Sequence, residues 1–125
     1  GETADYAAAS NAYVGYRSAG QYCPVVSMAK ADTSHTLGAG NVVLWTSGYD
    51  FEDYANLGAY AQILPPAGSG LAPEVVALSY SRENSRFEAE TAYFTVPGSY
   101  SVTYYLVDSN GAVSFPKTSS VEVSN

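Results

Sequence analysis

The chain has 125 residues, 46% of them hydrophobic, which is one domain's worth and enough to build a single core. Five Lys and Arg against twelve Asp and Glu leave a formal charge of −7, a balance that repels phosphate backbones and anionic headgroups and sets aside nucleic acid and membrane surfaces as partners. No stretch is long and apolar enough to read as a membrane-spanning helix, and a single cysteine, Cys23, excludes an intrachain disulfide and a thiol-based metal cluster.

Residues 1–11 are small and polar and read as a flexible leader, and Gly1 in place of an initiator Met fits a processed chain. Residues 12–17 alternate around Tyr13 and Tyr16, which predicts a short first strand turned by residues 18–20. A second strand over 21–29 carries Tyr22, Val25, Val26 and Met28. Pro24 removes a ladder donor, so this strand should begin at an edge or a bulge. Cys23 beside it reads as a small buried hydrophobe.

Residues 30–41 are polar and contain glycine, a loop or a weak strand near 35–37, with His35 expected in solvent. Residues 42–46 (VVLWT) form a continuous apolar run of the kind covered on both sides, and Trp45 is the largest anchor available to a core. Residues 47–58 break the strand pattern. Asp50, Glu52 and Asp53 ahead of Tyr54 and Leu57 predict at most one short helical turn near 50–57, with acids at its positive end. Strand character returns over 59–64, and Pro65-Pro66-Ala67-Gly68-Ser69-Gly70 is a loop. Residues 74–81 alternate, 82–86 turn, and 87–96 alternate again.

The strongest strand signal is the last. Tyr100, Val102, Tyr104 and Leu106 share one face, and Ser101, Thr103, Tyr105 and Val107 the other. Pro97-Gly98 introduces this run, and residues 108–111 turn it before a second alternating run over 112–123. Seven to nine short strands, turn signals at regular intervals and almost no helix predict one all-β domain over 1–125, an antiparallel β-sandwich.

The pattern Val96-Pro97-Gly98-Ser99-Tyr100-x-Val102, then Leu106, Asp108 and Gly111, resembles the closing hairpin of polycystic-kidney-disease-type (PKD-like) and bacterial immunoglobulin-like domains. The resemblance covers about residues 94–123. It implies an immunoglobulin-like sandwich in which Tyr100 buries its ring at a sheet corner and returns its hydroxyl to backbone. Asp108 would close the turn on its own backbone, Gly111 would take positive φ, and Trp45 would match the core tryptophan of the third strand.

No sequence motif names a reaction. His35 is the sole histidine and no nucleophile motif accompanies it. Gly38-Ala39-Gly40 lacks the lysine and the helix of a phosphate loop. Glu88 and Glu90 share a strand face and read as a solvated acidic surface. The chain is therefore read as no enzyme but a non-catalytic extracellular module of immunoglobulin-like type, an accessory or adhesion unit at a cell or virion surface, partnered by protein or glycan.

Two alternatives stand beside that reading. Tyr49, Tyr54 and Tyr60 in the central region could form a carbohydrate-binding platform. A structural subunit could exchange its leader strand with a neighbour. No cofactor is called for, although Asp50, Glu52 and Asp53 offer the hard oxygen ligands that calcium takes.

Overall fold

A computed structural model describes residues 24–49 and 57–125. Among the described residues the chain is all-β, without helix. Its strands are β1 (Val25–Ala29), β2 (Thr33–Thr36), β3 (Val42–Tyr49), β4 (Gly58–Leu64), β5 (Glu74–Ser81), β6 (Arg86–Thr91), β7 (Gly98–Val107) and β8 (Lys117–Ser124). They join in one sheet in the order β1-β3-β6-β5-β4-β7-β8-β2. Every ladder is antiparallel except β2 with β8, which is parallel.

The sheet curls into a half-barrel, and β5 is the crease. Residues 74–78 of β5 pair with β4, while Ser79, Tyr80 and Ser81 pair with β6. A strand that changes partners along its length redirects the ladder, and here it carries β1 and β3 over towards β7. Gly48 in β3 marks that approach. A Cβ there would overlap the Val25 carbonyl oxygen and Leu106 Cδ1, so the position requires the bare glycine backbone.

The concave side is the core. Leu44, Ala59, Ala61, Ile63, Tyr100, Val102, Tyr104 and Leu106 are each at most 1% exposed. Alternation along β7 supplies four of these, as the sequence predicts. Ala61 stands directly opposite Tyr104 and Ala59 opposite Leu106, so small residues on β4 leave room for large ones on β7. Thr46 is fully buried, and its hydroxyl donates to the Met28 carbonyl (2.8 Å) beside a register shift between Val26 and Met28. That irregularity, next to Pro24 on an outer strand of the sheet, meets the expectation of an edge or bulge there.

The closing ribbon also has the local geometry its motif implies. The Tyr100 hydroxyl donates to the Val96 carbonyl (2.6 Å) and accepts from the Val96 amide (3.1 Å), with the ring edge-on to Phe94 at 4.8 Å. Asp108 Oδ1 accepts from the Asn110 and Ala112 amides (2.9 and 2.8 Å), and Gly111 has φ +86°. The second arm starts at Lys117 rather than at 112. Residues 112–116 are held instead by Ser114, whose amide donates to the Leu106 carbonyl and whose hydroxyl accepts from the Leu106 amide.

Several expectations need correction. Trp45 is not the core anchor: β3 turns Val42, Leu44 and Thr46 inward, so Trp45 is half-buried on the convex side, beneath the Arg86 guanidinium at 4.7 Å. The run over 42–46 is thus covered by the core on one side only, and β3 continues through residues 47–49, where a break was expected. Of the loop or weak strand expected near 35–37 it is the strand that forms, over 33–36, and His35 within it is half-buried and in register with Val123 rather than in solvent. The strand expected over 87–96 stops at Thr91. Beyond it the Tyr93 amide turns back to Thr91 Oγ1 (3.1 Å) and the Thr95 amide to the Tyr93 carbonyl (2.9 Å). The strand expected over 12–17, Cys23 and the helical turn near 50–57 fall on residues outside those described, save Leu57.

Candidate recognition face

The convex side of β4, β7 and β8 is set by the same alternation that builds the core. Tyr60 stands opposite Tyr105, Gln62 opposite Thr103 and Leu64 opposite Ser101. Thr103 in turn faces Thr118, and Ser101 faces Ser120. None of these side chains is ionised at neutral pH, in a protein of formal charge −7. β8 carries ionic residues on either side of this stretch, Lys117 beside Thr118 and Glu122 two residues beyond Ser120, the latter's carboxylate accepting from Ser99 Oγ at 2.6 Å.

Within this face the Tyr60 and Tyr105 rings stack, with centroids 5.5 Å apart and planes 27° from parallel. Each ring therefore covers part of the other, and both are half-buried. Burial, then the neighbouring Tyr60, holds the Tyr105 phenol above its ordinary range. The Thr103 and Thr118 hydroxyls are 3.0 Å apart. Beside the stack lies a shallow groove of about 320 Å³ lined by Gln62, Val75, Thr103, Tyr105, Val113, Ser114 and Pro116. Val75 and Val113 on its walls are 52% and 51% exposed. The surface combines apolar contact, aromatic edges and neutral donors and acceptors.

Of the residues singled out from sequence, Tyr60 belongs to this face. It lies inside β4, not in an irregular central segment. Tyr49 is exposed at the end of β3, a strand that is not a ladder neighbour of β4. Tyr54, Asp50, Glu52 and Asp53 lie outside the described residues. Among the described residues no three His, Cys, Asp or Glu side chains gather as a metal site. Tyr105, Gln62 and Thr103 escaped sequence reasoning. Alternation put Thr103 and Tyr105 on one side of their strand, but β4 as the neighbour of β7 is a tertiary fact.

A second cavity, about 480 Å³, lies at one end of the sheet between His35, Asn41, Val42, Thr91, Phe94 and Thr95. The chain matches no protein-family model and no curated protein, so geometry and chemistry carry the functional reading.

Proposed function

We propose that the chain is a non-catalytic binding module, an immunoglobulin-like β-sandwich unit displayed on the outside of a cell or particle, and that it binds through the convex face of β4, β7 and β8. The observation that carries this reading is the charge-free strip of Tyr60, Gln62, Thr103, Tyr105 and Thr118 on a strongly acidic chain. Selection for solubility alone favours ionic side chains across exposed strands. A neutral strip with paired tyrosines and a groove suits recognition instead. The sandwich assignment draws support from the crease at β5, from the approach of β3 to β7 at Gly48, and from the Tyr100 corner at the start of the closing ribbon.

The tyrosine stack favours a saccharide as the ligand. Aromatic surface packs against the apolar side of a pyranose, and Gln62 with the threonine hydroxyls can meet its hydroxyl groups without a charge to desolvate. The module is expected to bind neutral glycans on an array. Tyr105→Ala should weaken that binding by about tenfold or more, since a well-packed aromatic contact is worth about 1–3 kcal/mol, while Tyr49→Ala leaves it intact. Equal binding by wild type and Tyr105→Ala would remove this face from the reading.

A further inference from the structure

The convex side of β1, β3 and β6 carries a different chemistry. The chain has five Lys and Arg in all, and two of them meet here beside its only tryptophan. Arg86 lies over the Trp45 ring, its guanidinium carbon 4.7 Å from the centroid. Its Nε donates to Glu88 Oε1 at 2.8 Å, and Asn84 Nδ2 donates to the same carboxylate at 3.1 and 3.3 Å. The guanidinium is thus held by a ring below and a carboxylate at Nε, and an amide fixes that carboxylate. Its two terminal nitrogens are not used by these contacts.

Lys30 completes the group. Its amide donates to the Trp45 carbonyl (3.0 Å), continuing the ladder past the pair Ala29 and Thr46. Alternation then puts Lys30 on the same side as Trp45, because Ala29 packs against the core. Its ammonium has no carboxylate partner among the described residues, although acidic groups outnumber basic ones by more than two to one. Burial and then the charge of Arg86 both hold it below the ordinary lysine range, as expected of two cations sharing one surface. Glu90 stands two residues beyond Glu88 on the same face, opposite Val43, and is not among the groups that hold Arg86.

We propose that Lys30 and the free edge of Arg86 bind a carboxylate group, with the remaining surface of Trp45 packing against the body that carries it. The guanidinium fork matches two carboxylate oxygens, and the Lys30 ammonium supplies a further charged donor. The carboxylate can belong to a small free acid or to a uronic acid residue of a glycan. This site shares no residue with the neutral strip and does not depend on its reading.

Trp45 makes the test direct, because all indole fluorescence comes from this position. The full chain is titrated at constant ionic strength with sodium glucuronate, sodium acetate, glucose and sodium sulfate. Glucuronate is expected to give a saturable change in Trp45 emission. A weaker saturable response to acetate would assign recognition to the carboxylate alone, and its absence would assign it to the carboxylate on a sugar ring. Glucose is expected to give none, and sulfate less than glucuronate. Lys30→Gln, a surface change that leaves the fold intact, and Arg86→Lys, which keeps the charge but loses the fork, should each weaken glucuronate binding by about tenfold. An unchanged titration in both variants, an equal response to glucose, or an equal non-saturating response to every salt would overturn the proposal.

Discussion

Tyr100 and Tyr104 are both fully buried four positions apart on β7, yet their hydroxyls have opposite circumstances. Tyr100 is bonded twice to Val96, so Tyr100→Phe strips partners from a buried amide and carbonyl and is expected to destabilise by about 1–3 kcal/mol in urea unfolding. The Tyr104 hydroxyl faces Ser119 and the Trp45 backbone without completing a hydrogen bond to either, and burial pushes the phenol up to about 12. The sign follows from linkage. Between the ordinary tyrosine value of about 10 and the folded value, the unfolded chain sheds a proton that the folded chain keeps. Stability is therefore whole below the ordinary value and lost as pH rises through the folded one. Tyr104→Phe should be neutral or stabilising near neutrality and should flatten this alkaline loss in the urea midpoint. Tyr93 and Tyr105, also raised chiefly by burial, leave a residual slope.

Among the strands, β3 shows where pattern reading reaches its limit. Four consecutive apolar residues, Val42, Val43, Leu44 and Trp45, give no period from which to choose an inner side. Size favoured Trp45, but register chose Leu44, because Thr46 must reach the Met28 carbonyl from the concave side. Leu44→Ala is expected to cost about 2–5 kcal/mol by cavity formation, and Trp45→Ala clearly less, which paired thermal or urea melts followed by circular dichroism will read. The strands β4, β5 and β7 and the turn at Asp108 were legible because alternation and turn residues are local. The parallel pairing of β2 with β8 was not. It joins segments far apart in the chain, pinned where Asp32 Oδ1 accepts the Ser120 amide, and no property of residues 33–36 foretells it. The early end of β6 was hidden likewise, since Phe94 leaves the alternation to pack edge-on to Tyr100 while the Tyr93 hydroxyl donates to the Ala72 carbonyl.

At the scale of the molecule, folding the sheet at β5 gives the protein one closed side and two chemically distinct outer surfaces. One is neutral and tyrosine-bearing, across β4, β7 and β8. The other gathers Lys30 and Arg86 with Glu88 and Glu90 around Trp45, across β1, β3 and β6. The all-β character followed from composition and alternation. The surfaces did not, because each unites residues from strands that only the topology makes neighbours. Tyr60 was singled out for its ring, yet its partner Tyr105 was hidden in a strand already assigned to structure.

The most direct test is amide chemical-shift mapping of the full chain during titration with the neutral glycan bound best on the array. Saturable shifts concentrated at Gln62, Thr103, Tyr105 and Thr118 are the expected result. Shifts confined to the cavity around His35 and Phe94, or no shifts on the convex face of β4, β7 and β8, would contradict it.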